Sequence, residues 1–93
     1  MAAARKKEEQ KRAACNRAFR DFEKAQAVKE PNEAVALYRQ GLQLCPDDDV
    51  AHYELGKILQ GMGQTRDAQQ ELEAALRINP NFRDAKRQLE TIK

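Results

Sequence analysis

Tryptophan and serine are absent from this chain, histidine occurs once, and aromatic residues make up 5% of its 93 residues. Nucleophilic or acid–base chemistry needs a base within reach of an activated hydroxyl or thiol in a sheltered pocket. With His52 as the one imidazole, such a pair has little to be built from, and no catalytic residue is expected. So few rings also exclude a core of aromatic bulk, which leaves alanine, leucine, isoleucine and valine to fill it. No apolar run approaches the roughly 20 residues that span a bilayer, and the N-terminus lacks the apolar stretch of a secretory signal. The two cysteines, Cys15 and Cys45, form neither a metal-ligand cluster nor a disulfide framework by spacing. They are expected to be free thiols in a reducing, cytoplasmic setting, and no cofactor or metal is implied.

What the chain does have is charge: 34% of its residues are Asp, Glu, Lys or Arg. That proportion suits a thin helical layer with much exposed surface, and the length allows one small domain without a large enclosed core. The net charge is +2 but unevenly spread. Residues 1–30 hold nine basic against five acidic side chains, residues 31–82 four against eight, and residues 83–93 four against two. Such asymmetry can steer a partner. It is too weak to imply nucleic acid, and residues 1–14 (MAAARKKEEQKRAA) carry no aromatics on which bases could stack. Those residues are helix formers without an apolar stripe, and they read as a charged helical extension.

The stretch from Asp49 to Pro80 is the clearest in the chain. Asp47, Asp48 and Asp49 follow Pro46, placing carboxylates where the positive end of a helix dipole would be. Ala51, Leu55, Ile58, Leu59 and Met62 then recur on one helical face. Gly61 and Gly63 bracket the helix end, and Thr65 is the expected N-cap of a second helix. Its stripe is Ala68, Leu72, Ala75 and Leu76, stopped by Asn79-Pro80. Two helices joined by so short a turn lie antiparallel, with Gly56 where another helix can approach closely.

Upstream, Cys15, Ala18, Phe19, Phe22 and Ala25 make a stripe on a helix running to about Val28. Pro31 suits the first position of the next helix, whose apolar face is Ala34, Leu37, Tyr38, Gly41 and Leu42. Cys15 and Cys45 therefore share one end of this pair, where neighbouring axes sit about 8–10 Å apart, so a bridge between them is conceivable although free, packed thiols are the expectation. Downstream, Asn81 is the expected cap of a last helix with the stripe Phe82, Ala85, Leu89 and Ile92.

These residues carry a resemblance. His52, Leu55, Gly56, Leu59, Ala68, Leu72, Ala75 and Pro80 follow the spacing of the tetratricopeptide repeat, and Ala34, Tyr38, Gly41 and Pro46 match the second half of a preceding copy. The first half of that copy has no Leu-Gly pair. Two registers are open there, one with Phe22 at the glycine position and one, with a linker one residue shorter, with Phe19 and Phe22 at the Trp and Leu positions. A microtubule-interacting three-helix bundle is the alternative for residues 15–62, disfavoured by the clear second copy. The resemblance implies an all-α fold of antiparallel helix pairs stacked as a short right-handed solenoid. Its parts are a repeat at 15–48, a repeat at 49–82 and a capping helix at 83–93, after the extension at 1–14.

The resemblance also implies function. Members of the family bind peptides or extended protein segments in a concave groove lined by the first helix of each pair. Carried over by position, that groove presents Asn16, Phe19 and Glu23, then Val50, Tyr53, Glu54, Lys57 and Gln60, then Asp84, Arg87 and Thr91. Tyr53 is expected to offer an aromatic contact, and Lys57 and Arg87 to pair with carboxylates. Some members clamp the C-terminal carboxylate of chaperones with Lys, Asn and Arg. At those places stand Phe19, Glu23, Glu54, Asp84 and Gln88, or Arg20 and Lys24 in the other register, so binding of an acidic chaperone tail is not expected. The leading expectation is a scaffold or adaptor module with a protein or peptide partner. The alternatives are self-association into a homo-oligomer through open helix faces, and docking of the basic N-terminal helix on an acidic surface.

Overall fold

The structure, a computed structural model, describes residues 2–92, with side chains from Glu9 to Ile92. Five helices follow in order: α1 (Ala2–Ala27), α2 (Pro31–Leu44), α3 (Asp49–Gly61), α4 (Thr65–Ile78) and α5 (Arg83–Ile92). No strand occurs among the described residues. One helix thus runs through both the charged extension and the first stripe. Up to Glu8, the charged side chains of that extension lie outside the described residues.

Each helix packs on the next along the chain, and α3 also touches α5. Short connections at residues 28–30 and 62–64 fold α1 back on α2 and α3 back on α4. The radius of gyration is 14.1 Å, against roughly 12 Å for a compact domain of this length. The extents, 46 × 28 × 17 Å, are those of a thin layer. Its core is small and alanine-rich: Ala18, Ala51, Ala68, Ala75 and Ala85 are buried among Phe22, Tyr38, Leu55, Leu59 and Leu72.

Local chemistry explains where the helices begin and end. Asp48 is the N-cap of α3, its carboxylate accepting from the Ala51 N–H at 3.0 Å. That bond satisfies one of the donors a helix start leaves open. Pro31 opens α2 at the position where a missing N–H costs nothing. α3 closes on Gly63, whose φ of 81° is left-handed. The Gly63 N–H donates to the Gln60 carbonyl at 3.0 Å and the Gln64 N–H to Leu59 at 2.9 Å, the paired bonds of a Schellman closure. Gln64 also accepts the first bond of α4, from Ala68 at 2.9 Å. Thr65 therefore falls inside α4, and Gln64 caps it without a side-chain bond. Asn81 likewise does not cap α5. The Lys86 N–H bonds to the Phe82 carbonyl, and the turn is organised by Asn79, which accepts from the Asn81 N–H and donates to Asp49 at 3.0 Å.

Within each pair, close approach depends on a glycine facing a large side chain. A Cβ on Gly56 of α3 would lie 2.9 Å from Leu72 Cγ of α4 and 3.3 Å from the Ala68 carbonyl oxygen. A Cβ on Gly41 of α2 would overlap Phe22 Cε1 of α1 and lie 2.8 Å from Phe22 Cδ1. The small residue sits on the first helix of one pair and on the second helix of the other. Phe22 fills the room that Gly41 leaves and stacks on Tyr38 with ring centroids 5.9 Å apart.

The cysteines correct the sequence reading. Cys15 and Cys45 form a disulfide with Cα atoms 4.7 Å apart, so they are not free thiols. Facing Cα atoms on helices whose axes lie about 8–10 Å apart are about 3.4–5.4 Å from one another, because each stands about 2.3 Å from its axis, so ordinary packing accommodates the bridge. Cys45 is the C-cap of α2, with φ −136° and ψ 78°, and its N–H still donates to the Gly41 carbonyl. The bridge closes a segment with a sequence separation of 30, and constraining the unfolded chain over such a loop is worth about 2–4 kcal/mol. The unreduced, denatured protein should accordingly show no titratable thiol, and the Cys15→Ser/Cys45→Ser variant should unfold with about 2–4 kcal/mol less stability in urea. Two thiols in the unreduced protein would contradict the pairing.

Candidate functional site

α1 and α3 stand on either side of a cleft of about 340 Å³. Phe19, Phe22, Glu23 and Gln26 form one wall, Asp48, Val50, Ala51 and Glu54 the other, and Tyr38 of α2 lies between them. The stripe Phe19-Glu23-Gln26 faces the cleft because these positions recur at helical spacing next to the buried Phe22 and Ala25. A second depression of about 490 Å³ continues from it past Gln26, Tyr38 and Glu54 toward Ile58 and Met62. The two share residues, so they form one groove along α1 and α3 with α2 as its floor.

Apolar surface lies at the mouth and underneath. Phe19 is 53% exposed and Val50 51%, while Phe22 and Tyr38 are buried. Phe19 meets Phe22 edge-on, with centroids 6.3 Å apart. It shared the core stripe in the sequence, yet its ring faces solvent at the cleft. Burial, with the Glu54 carboxylate nearby, pushes the Tyr38 phenol above its ordinary value. The disulfide sits at this end of the groove, one turn before Phe19 on one wall and three residues before Asp48 on the other.

The α3–α5 side is different. Tyr53 packs on Phe82 with centroids 5.0 Å apart, and Lys57 Nζ lies 4.7 Å over the Tyr53 ring and 3.3 Å from Glu54. Partial burial alone would lower the lysine, but Glu54 and Tyr53 outweigh it and hold Lys57 above its ordinary value. Gln60 donates to Thr91 at 2.8 Å and accepts from Gln88. The residues expected to line this half of the groove therefore bind one another.

With two antiparallel helix pairs, a closing helix and a groove along the first helices in place, comparison with known proteins decides the family. A tetratricopeptide repeat model matches residues 25–90. The chain belongs to the tetratricopeptide repeat family. Such repeats are in general protein–protein interaction modules. Human protein arginine N-methyltransferase 9 is 35% identical over 68 residues, 73% of this chain and 8% of that protein. Its mouse counterpart is 34% identical over the same length. Protein O-mannosyl-transferase F38B6.6 of Caenorhabditis elegans is 38% identical over 48 residues, 52% of this chain and 7% of that protein. The chain thus spans less than a tenth of each of these relatives.

Of the residues assigned to a tetratricopeptide groove, the structure brings Phe19, Glu23, Val50 and Glu54 together at the α1–α3 cleft. Asn16 is exposed on α1 outside its lining, and Asp84 and Arg87 are exposed on α5. Tyr53, Lys57, Gln60 and Thr91 are engaged between α3 and the last turn and helix. Sequence reasoning missed Gln26, Asp48 and Tyr38 as groove residues. Gln26 was legible, three residues beyond Glu23 on the same face. Asp48 and Tyr38 were read as cap and core, which they also are. No helix among the described residues is long and apolar enough to cross a membrane.

His52, on the other side of α3, is a joint between the repeats. Its Nδ1 is 2.7 Å from Glu71 of α4 and its Nε2 is 2.8 Å from the Pro46 carbonyl. Both partners are acceptors, and a neutral imidazole carries only one N–H. Both bonds are satisfied only when the ring is protonated. The hydrogen bond to Glu71 leads in raising His52 above its ordinary value, burial opposes it, and the Pro46 bond and the charges of Glu71 and Asp48 add to the rise. A raised folded-state value means the stabilisation is fully present below the unfolded value of about 6.5 and is lost as pH rises through the higher folded value. Urea unfolding between about pH 6 and pH 8.5 should therefore show wild type losing stability relative to His52→Gln as pH rises. A difference that stayed flat or grew with pH would contradict the imidazolium bridge.

Proposed function

We propose that the chain is a non-catalytic scaffold or adaptor module that holds an extended peptide or protein segment in the α1–α3 groove. The observation that carries this reading is two large apolar side chains, Phe19 and Val50, held more than half exposed on opposite walls of an apolar cleft. Folding gains nothing from leaving them in water. A docking segment recovers roughly 25 cal/mol for each Å² of apolar surface it covers.

The groove is prebuilt, since its floor is the Phe22–Tyr38 stack and its walls are two helices. A segment that docks there orders itself but need not reorganise the module, which keeps the cost of binding low. The filled α3–α5 side supports the wall and leaves α1–α3 as the receiving half. The absence of a nucleophile–base pair in the sequence supports a binding role over a catalytic one, whatever the activities of the much longer relatives.

Peptides selected from a random display library against the oxidised protein test this. They should lose at least tenfold in affinity for Phe19→Ala/Val50→Ala, with a melting temperature close to wild type because both side chains are exposed. Tyr53→Ala is the counter-control, and should lower the melting temperature because its ring packs on Phe82. Selected peptides that bind the Phe19/Val50 variant as tightly as wild type would overturn the proposal.

A further inference from the structure

We infer that the α1–α3 groove selects a cationic apolar segment, one in which an aromatic or branched anchor is flanked by Lys or Arg. This rests on the groove reading above and adds the chemistry of the partner. At its Phe19–Val50 end the groove has an apolar interior, yet three of the side chains lining it are carboxylates, Glu23, Asp48 and Glu54, and none is Lys or Arg; Lys29 lines only the depression that continues toward Met62. Glu54 is compensated by Lys57 at 3.3 Å, and Asp48 lies within electrostatic reach of His52. Among the described residues neither Glu23 nor Asp48 has an ion-pair partner. Asp48 caps α3 through one oxygen, which leaves its second oxygen for a ligand.

The carboxylates stand on both walls. Glu23 rises from α1 beside Phe19, whereas Asp48 precedes Val50 at the start of α3. An anchor placed between Phe19 and Val50 therefore has negative charge on either side of it, whichever direction the segment runs. A carboxylate on the segment would meet like charge beside an apolar surface, and an ammonium or guanidinium would meet opposite charge. Partly exposed pairs of this kind each change affinity by about two- to fivefold, and like-charge approach penalises the wrong partner further. Apolar burial supplies affinity, and the carboxylates supply the choice.

The test uses three capped nonapeptides that share a central Phe-Leu anchor and differ only in three flanking residues, all Lys, all Gln or all Glu. Binding to the full oxidised protein is measured by calorimetry at about 50 mM salt and located by backbone amide shifts in NMR. The Lys peptide should bind about tenfold or more tighter than the Glu peptide, with the Gln peptide between and shifts centred on Phe19 and Val50. Most of the gap should vanish in Glu23→Gln/Asp48→Asn, a variant that keeps the helix cap because Asn caps as well as Asp. It should also shrink at about 300 mM salt.

Equal binding of all three peptides at Phe19 and Val50 would overturn the charge selection and leave the groove reading standing. No shifts at those residues with any peptide would sink both. A Lys preference that survives in the Glu23/Asp48 variant would place the cation elsewhere and overturn the proposal. Self-association abolished by Phe19→Ala would put a second copy in the cleft, which would also overturn it.

Discussion

The structure depends on how closely two helices in a pair can approach. The core has few large side chains to share, so burial must come from bringing backbones near one another. Gly56 admits Leu72 in one pair and Gly41 admits Phe22 in the other. A glycine within a helix costs about 1 kcal/mol relative to alanine. It is retained where a methyl would displace a buried branched or aromatic side chain, at a cost of about 1–3 kcal/mol. Ala18, Ala51, Ala68 and Ala75 extend the same logic along each seam. The result is a thin layer whose pairs are tight inside and looser against their neighbours.

That difference in tightness is where function can enter. Between α3 and α5, Tyr53, Phe82, Gln60 and Thr91 fill the space between first helices. Between α1 and α3 no such filling occurs, because Phe22 is drawn down onto Gly41 and Tyr38, and Phe19 is left at the edge. Gly41 of the first repeat thus creates the floor of the cleft. The Cys15–Cys45 bridge fastens the helix that forms one wall to the end of the helix that forms the floor, and His52 ties the second repeat to the turn before it through Glu71 and Pro46.

The helices, their pairing and the family were legible because they follow from periodicity and from small residues at fixed spacing. Leu55, Gly56, Leu59, Ala68 and Leu72 all lie in the interface their spacing assigns to them. The first repeat was less legible, since Phe22 stands 34 residues before Gly56 and takes the place of the motif glycine, while the room for its ring comes from Gly41 on the second helix. Phe19 was ambiguous for a related reason: a stripe at i, i+3, i+4 does not say which of its edge members reaches the core. The disulfide was legible as a possibility, since helix spacing put Cys15 and Cys45 at one end of a pair and Pro46 marked where α2 stops, but proximity alone does not say whether two thiols are joined or free. The separation of the expected groove into an open and a filled half depends on individual rotamers across α3 and α5. The positions were assigned correctly to their helices, but their mutual hydrogen bonds were not deducible.

The most direct measurement of the central claim is a double-mutant cycle on Gly41→Ala and Phe22→Leu, with urea unfolding of the disulfide-bonded protein. If the glycine exists to admit the ring, Gly41→Ala should destabilise the wild-type background by about 1–2 kcal/mol. In the Phe22→Leu background it should be neutral or stabilising, as helix propensity is then unopposed, giving a coupling of about 1 kcal/mol or more. Effects that add to within about 0.5 kcal/mol would show that the ring and the glycine do not depend on one another, and would contradict this account of how the helices pack.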